Sequence, residues 1–420
     1  MEREPLPPTP PSLYLVMILQ YAVGGAFLPF VTLFLKDQGL DYERLSWIHL
    51  TSAAVASTVP FFWGWAADRW VRLDLLIAFL HFAGGTALLF FASQSSFAGL
   101  LGTYALVFVF YPPTNALIAA LAYHHLAAPE RQFARLRLWG SVGWMLPLAP
   151  IFAWQVMRDS AVGLDLTFTV RLAAVLELLA GVSALALPRT QPSSRTAVRG
   201  APGPSYRSAL GALLRRPGFA VLLAVVFLLH SSFAALFHYS PPLLEASGCA
   251  RKWVGPIQCI GVAVEVPFHL ALPWVIRRFG HYGTIALGCA TLVTRQIIYA
   301  SPAPLWLLIA SYVLAGACVA FYITAASISI NALAERSVRA TAQTLYALVG
   351  SGLGQMFGHE AFGWIASHSA WGLQGGFAFA AATGALGLLL LTLALRGRGH
   401  FEKPPPLAAV TGERPIVGRS

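Results

Sequence analysis

Long apolar runs of about twenty residues recur along the chain, and short polar stretches separate them. A helix needs about 20 apolar residues to cross the hydrocarbon core of a bilayer, which is roughly 30 Å thick. Because no water can satisfy the backbone there, each crossing segment must be helical. The pattern therefore predicts twelve membrane-spanning helices. They cover residues 13–36, 45–67, 73–93, 97–119, 136–157, 167–187, 219–244, 254–276, 282–301, 304–332, 339–366 and 370–396.

A polar stretch between the sixth and seventh runs divides the pattern into two sets of six. Residues 188–217 are rich in Pro, Gly, Ser and Arg, which is typical of an exposed, unstructured connector. The sequence thus predicts an all-α membrane protein with two pseudo-symmetric six-helix bundles, over 1–187 and 218–398. A cytoplasmic tail over 399–420 is expected to lack fixed structure. This organisation is typical of transporters whose halves rock about a site near mid-membrane.

Composition and charge support the membrane prediction and give it an orientation. Of the 420 residues, 57% are apolar and 11% charged, whereas soluble proteins carry about 25% charged residues. The net charge of +11 would suggest nucleic acid on a soluble protein. Here most basic residues fall in alternate loops, as the positive-inside rule expects. The opposite loops hold only Lys36, Arg44, Arg158, Arg171, Arg251 and Lys252. We therefore expect a multi-pass inner-membrane protein with both termini in the cytoplasm, contact with anionic lipid and no binding of nucleic acid.

Three charged residues inside or beside apolar runs point to a polar pathway through the membrane. Glu265 and Arg295 lie within runs, and Arg137 lies at the end of another. A charge in hydrocarbon costs several kcal/mol, so such residues persist where they face a wet cavity or one another. We expect Glu265 to pair with Arg295, or with Arg137 across a cavity, and to carry a proton; a purely structural ion pair is the alternative. Glu177, in the sixth run, is a second candidate for the proton.

Two runs carry polar residues at helical spacing. Arg137, Ser141 and Trp144 follow the spacing i, i+4, i+7 and so share one face. A guanidinium, a hydroxyl and an indole on one face can bind and stack a flat or ring-shaped solute. Alternatively, Arg137 extends to the membrane surface and Trp144 packs between helices. A second stripe comprises Gln258, Gly261, Glu265 and His269, and two further histidines, His230 and His238, could line the same cavity.

The loop after the second run carries a short motif. Gly64 is followed by Asp68 and Arg69. This spacing resembles the signature Gly-x-x-x-Asp-Arg/Lys-x-Gly-Arg-Arg of the major facilitator superfamily, although Val71 replaces the second glycine. In this interpretation Gly64 permits close helix approach, Asp68 bonds a neighbouring helix terminus, and Arg69 holds the inner gate closed.

Three longer segments resemble one branch of that superfamily, which includes lactose permease, the nucleoside–proton symporters and the phenylpropionate permease. They are residues 24–37, 135–144 and 230–280. The resemblance implies a ligand site, because the residues that match Arg137 and Trp144 bind sugar in lactose permease. It also implies that Glu265 contacts solute and that Arg295 lies near a proton site. Ala320 departs from the pattern, since relatives have a carboxylate there.

The sequence thus predicts a secondary active transporter, working as a monomer by alternating access. We expect proton-coupled uptake of a small polar or aromatic solute such as a nucleoside, sugar or aromatic acid. We expect no metal and no cofactor other than the coupling proton. A membrane enzyme is disfavoured because no acidic, histidine or nucleophile cluster occurs in the loops. An efflux antiporter and a non-transporting membrane sensor on the same fold remain alternatives.

Overall fold

The computed structural model describes residues 9–127, 129–158, 166–192, 217–333 and 339–396, and these ranges contain helices and turns but no strand. The N-terminal half comprises α1 (Pro11–Phe27 and Val31–Asp37), α2 (Tyr42–Arg69), α3 (Leu73–Ala92), α4 (Phe97–His125), α5 (Pro129–Met145 and Leu148–Arg158) and α6 (Thr167–Ala184). The C-terminal half comprises α7 (Pro217–His238 and Ser240–Ala246), α8 and α9 (Val254–Ala300, divided at Gly280), α10 (Leu305–Ala310, Tyr312–Cys318, Val319–Thr324 and Ala325–Leu333), α11 (Arg339–Ala347, Leu348–Gly354 and Gln355–His368) and α12 (Gly372–Arg396).

The prediction of twelve helical spans in two sets of six is confirmed. Nine helical segments of the described ranges are long and apolar enough to cross a membrane, judged by length and composition. One of them holds both α8 and α9, because Gly280 has a φ of 72° and turns the chain back. Two spans, α5 and α11, are not among the nine, and both carry polar residues of the cavity described below. Most of the predicted connector 188–217 and the whole tail 399–420 lie outside the described residues.

Several spans are interrupted where the sequence places proline. Proline has no backbone N–H and cannot continue the helical hydrogen-bond ladder. The helix of α1 therefore stops before Pro29, and that of α5 before Pro147. In α7 the break falls at Tyr239, just before Pro241 and Pro242.

Glycines allow α1 and α5 to meet backbone to backbone. A Cβ atom on Gly25 would lie 1.8 Å from the carbonyl oxygen of Trp144, and one on Gly143 would lie 2.3 Å from that of Ile18. Small residues permit such approaches between membrane helices, where packing rather than the hydrophobic effect drives association. This contact fixes the position of Trp144 in the centre of the molecule.

The two halves meet mainly along two pairs of spans, α2 with α11 and α5 with α8, and more briefly where α1 contacts α7. We call the side that holds the turns at 38–41, 93–96 and 247–250 the closed face, and the side that holds 70–72 and 185–192 the linker face. At the closed face Arg251 binds Asp37 of the other half, with two N–O distances of 2.7 Å. Nearby, the backbone N–H of Glu43 donates to the Ser367 hydroxyl over 2.9 Å. The halves are thus joined at this side of the molecule.

Candidate functional site

A cavity of about 310 Å³ lies between the two halves, near the middle of the spans. Both halves contribute polar and aromatic side chains to its wall. The lining residues are Tyr21, Leu28, Pro29, Arg137, Ser141, Trp144, His230, Phe233, Phe237, Gln258, Val262, Glu265, Val319, Ile323, Ser351 and Gln355.

The N-terminal wall is built on the predicted stripe of α5. Arg137, Ser141 and Trp144 all line the cavity, so the helical spacing places them together as expected. Tyr21 of α1 faces them, and the Arg137 guanidinium lies 4.4 Å from the centre of its ring. This side of the cavity therefore offers an aromatic platform and a cation.

The C-terminal wall is centred on Glu265 of α8. Its side chain is half-buried, and its Oε1 lies 3.7 Å from Nδ1 of His269, one helical turn further on. Nδ1 of His269 also donates to the Glu265 carbonyl oxygen over 3.0 Å, and Nε2 lies 2.9 Å from Oγ1 of Thr324 in α10. Gly316 allows this packing, because a Cβ there would lie 2.7 Å from the backbone nitrogen of Glu265. The carboxyl group is thus held beside an imidazole at the cavity wall.

Arg295 of α9 lines a smaller pocket that adjoins the cavity. This pocket has a volume of about 50 Å³ and shares Trp144, Gln258 and Glu265 with the larger cavity. The expected ion pair is absent: within the described ranges, no Glu265 oxygen comes within 4.0 Å of a nitrogen of Arg295 or Arg137. Two tyrosines hold Arg295 instead. Its Nη2 donates to the Tyr299 hydroxyl over 2.7 Å, and its guanidinium lies 4.1 Å from the centre of the Tyr312 ring.

Comparisons with known proteins agree with this architecture. Residues 9–395 match the family model described as Nucleoside H+ symporter. This chain belongs to that family. The putative nucleoside transporter YegT of Escherichia coli is 30% identical over 84% of this chain and 83% of its own length. The maltose permease of Geobacillus stearothermophilus is 28% identical over 94% of this chain and 96% of its own length.

The solved structures show the same fold. An alanine variant of the nucleoside transporter NupG superposes with a TM-score of 0.80 at 18% identity, over 91% of this chain and 98% of that one. The symporter therefore has the major facilitator fold and is a proton-coupled secondary transporter, as the sequence motifs predicted.

The two predicted binding histidines of the symporter occupy different environments. His230 reaches the cavity wall, although only 2% of it is exposed. Its Nδ1 contacts both the Val226 carbonyl oxygen and the Tyr322 hydroxyl, so it also ties α7 to α10. His238 does not line the cavity, and the prediction that it binds solute is not supported. It is the last residue before the break in α7, on the side of the cavity nearer the closed face.

At the closed face His238 belongs to a cluster of three imidazoles that joins the two halves. The His238 ring centre lies 4.0 Å from that of His49 in α2 and 5.0 Å from that of His359 in α11. His49 and His359 are 5.4 Å apart by the same measure. All three rings lie on the far side of the cavity from the linker face, where they contribute to closure.

The remaining predicted residues lie away from the cavity. Glu177 is fully buried between α3 and α6, where its Oε1 is 3.1 Å from Nδ1 of His81. Asp68 and Arg69 are exposed at the linker end of α2, with Arg69 lying 5.4 Å from the Trp65 ring centre. Gly64 makes no close approach, because a Cβ there would meet no atom within 4 Å. The expected packing role of Gly64 is therefore wrong for this conformation.

Sequence reasoning missed the residues that complete these sites. Tyr312 and Tyr299, which hold Arg295, look like ordinary aromatic residues in apolar runs. His49 and His81, in contrast, are ionisable residues inside predicted spans. The rule that drew attention to Glu265 applies to them as well and could have found both.

Proposed function

We propose that this symporter imports a nucleoside together with a proton. The observation that carries the proposal is the convergence of Arg137 and Trp144 from one half, and Glu265 from the other, on a single cavity between the halves. A site shared in this way changes its accessible face when the halves rock. The family match and the relatives described as nucleoside transporters support a nucleoside as the solute.

The cavity suits a solute with a flat ring and several hydrogen-bonding groups. Trp144 and Tyr21 offer aromatic faces for a base, and aromatic stacking of a base is worth about 1–3 kcal/mol. Arg137 and Ser141 supply donors from the N-terminal half, and the amides of Gln258 and Gln355 supply others from the C-terminal half. A sugar is the second candidate, because the maltose permease match extends over 94% of this chain.

The proposal includes an orientation in the membrane. The linker face carries most of the basic residues, so we place it in the cytoplasm of the cell's inner membrane, together with both termini. The closed face is then external. In the conformation described here, a solute outside the cell cannot reach the site. We propose a monomer in contact with anionic lipid, with no covalent chemistry on its solute.

His269 equips Glu265 for proton coupling. In the neutral ring Nδ1–H donates to the Glu265 carbonyl oxygen, and the Thr324 hydroxyl donates to Nε2. When the ring gains a proton, Nε2–H donates to Thr324, whose hydroxyl can turn to the Val319 carbonyl oxygen 3.3 Å away. The imidazole keeps its hydrogen bonds in both states. A proton can therefore reside on Glu265 or His269 with little rearrangement.

The test uses protein reconstituted in liposomes with an acidic exterior. Radiolabelled uridine should accumulate against its gradient in the wild type, and Glu265→Gln should abolish accumulation while retaining exchange of internal for external uridine. Glu360→Gln, which changes a carboxylate of α11 outside the cavity, is the matched control and should accumulate normally. If Glu265→Gln still concentrates uridine, the assignment of the proton is wrong.

The same liposomes separate the rival functions. Flux of maltose without flux of uridine or inosine would identify a sugar symporter. Extrusion driven by the opposite gradient would identify an antiporter. Absence of flux for every solute tested would favour a sensor over a transporter.

A further inference from the structure

We infer that the pocket at Arg295 is a subsite for an anionic group, so that the preferred solute carries a carboxylate or an ionised ring. The inference rests on the proposed function in taking that solute to be a nucleoside. It goes beyond the proposed function in naming the charge of the solute and the residue that selects it.

The first argument is the state of Arg295 itself. The residue is 3% exposed and lies in mid-span, yet within the described ranges no carboxylate oxygen lies within 4.0 Å of its nitrogens. Its hydrogen-bonding partner is the neutral hydroxyl of Tyr299, and the face of its guanidinium lies over Tyr312. A buried charge without a counter-charge is costly, and a planar guanidinium binds carboxylates through two parallel hydrogen bonds. An anion from the solute would supply the missing partner.

The second argument is the balance of charge around the cavity. The formally charged side chains in the walls of the cavity and its adjoining pocket are Arg137, Arg295 and Glu265. Two cations therefore face one carboxylate, and the excess of positive charge grows when Glu265 takes up the coupling proton. In α10, the neighbouring span, Ala320 contributes no carboxylate. A solute with one negative charge would lower this positive excess in both protonation states of Glu265, including the protonated state in which the symporter carries its solute.

The third argument is size and continuity. The pocket at Arg295 opens on the same residues that bound the main cavity, namely Trp144, Gln258 and Glu265. Its volume of about 50 Å³ can hold a small polar group. A second ring would not fit. A nucleoside stacked on Trp144 could therefore place an acidic substituent beside Arg295.

A purely structural Arg295 leads to a different expectation. In that case a substitution weakens the fold and lowers the affinity for neutral and anionic solutes by the same factor. The subsite model requires a selective loss. Comparison of solutes that differ by one acidic group therefore separates the two roles.

The experiment measures binding by calorimetry at pH 7.5 with two matched pairs of nucleosides. Uridine is compared with 5-carboxyuridine, and inosine with xanthosine, whose base loses a proton near neutral pH. The wild type should bind the anionic member of at least one pair about 10-fold more tightly, the effect of one charge-assisted bidentate contact. Arg295→Gln should lose this preference while binding the neutral member within about 2-fold of the wild type.

Two further variants complete the design. Arg158→Gln removes the same charge at the closed end of α5, where the guanidinium lies 4.6 Å from the Trp154 ring centre, and should keep the preference. Arg295→Lys keeps the charge without the planar fork, should retain part of the preference, and serves if the glutamine variant does not fold.

The outcomes distinguish this inference from the proposed function. If neutral nucleosides bind and neither anionic partner binds more tightly to the wild type, the inference is overturned and the proposed function stands. A preference that survives in Arg295→Gln also overturns it. If no nucleoside of either kind binds, the proposed function itself fails.

Discussion

Arg137 shows how a membrane charge can be held without an acidic partner in contact. Its guanidinium lies 4.4 Å from the centre of the Tyr21 ring, and no ion pair joins it to a carboxylate in the described ranges. Aromatic faces attract cations by about 0.5–1 kcal/mol at exposed sites and more where water is excluded. The ring thus holds Arg137 at the cavity wall.

This geometry predicts the effect of changing Tyr21. Tyr21→Leu should weaken binding of uridine about 3-fold, because Arg137 loses the ring that orients it. Tyr21→Phe keeps the ring and should bind uridine within about 2-fold of the wild type. Calorimetric titration of the purified variants with uridine measures both affinities. Equal losses in both variants would instead assign the role to the Tyr21 hydroxyl.

The candidate site could be predicted only in part at this scale. Glu265, Arg137 and Trp144 were found because charge in an apolar run and helical spacing are visible in one dimension. The partners of Arg295 were missed for two reasons. Tyr299 lies four residues later on the same helix, a spacing that the sequence shows but that an ordinary aromatic residue in an apolar run does not mark, whereas Tyr312 approaches only through the packing of α9 against α10. Glu265 contacts His269 and neither arginine, and this outcome depends on how the helices pack around it.

At the scale of elements, the cavity coincides with irregular turns of helix. The π-helical turns Val319–Thr324 and Leu348–Gly354 lie in α10 and α11 and supply Val319, Ile323 and Ser351 to the cavity wall. Such turns insert an extra residue into the helix and often occur at functional sites. The first of these turns ends at Thr324, whose hydroxyl contacts His269. The π-helical turns of these two spans therefore position residues of the cavity wall.

The contact between α1 and α5 leads to a prediction at this scale. Gly143→Ala would bring a Cβ atom to 2.3 Å from the Ile18 carbonyl oxygen, so the helices must separate and carry Trp144 with them. Overpacking of this kind costs about 1–3 kcal/mol. We expect a lower melting temperature in detergent and a several-fold loss of uridine affinity.

A glycine of α4 provides the control for this variant. Gly102 has no atom within 4 Å of an added Cβ, and alanine is favoured over glycine in a helix by up to about 1 kcal/mol. Gly102→Ala should therefore leave binding unchanged and the melting temperature equal or higher. If Gly143→Ala behaves in the same way, the contact of α1 with α5 does not set the site.

The elements themselves were largely predictable from the sequence. Apolar runs identify spans because the bilayer sets their length, and the predicted 73–93 agrees closely with α3 (Leu73–Ala92). The predicted start of α4 at 97 is correct, but its C-terminal end was less well placed, since the helix continues to His125 beyond the predicted 119. That extension ends in His124 and His125, whose polarity ends the apolar run before the helix itself ends. Contacts across the halves needed the three-dimensional structure.

At the scale of the whole molecule, alternating access requires that the closed face can open. The structure holds it closed by contacts between residues far apart in the sequence. Arg251 binds Asp37 through both guanidinium nitrogens of its fork and also contacts Glu245. Beside it, a Cβ on Gly363 would lie 2.2 Å from that of Ser46, so α2 and α11 are in close contact there. Both contacts must break when this face opens.

The ion pair gives the last prediction. Exposed ion pairs stabilise a protein by about 0–1 kcal/mol. Because Arg251 binds Asp37 through two parallel hydrogen bonds, we expect this pair to lie towards the upper end of that range. Arg251→Gln should therefore raise the population open at the closed face by a factor of about 2–5. Spin labels on the exposed Ser95 and Ser301, in turns of opposite halves at this face, report the change as a second, longer distance in pulsed electron resonance. Arg44→Gln is the control, because its guanidinium lies over Phe97 of its own half, 5.9 Å from the ring centre.

Salt provides an independent check on the cause. At about 1 M salt the screening length falls to about 3 Å, so the wild type should approach the distance distribution of Arg251→Gln, and the variant should hardly respond. If Arg251→Gln leaves the distribution unchanged at every salt concentration, the ion pair does not govern closure. The close packing of Gly363 on Ser46 and the cluster of His49, His238 and His359 would then be sufficient to hold the halves together.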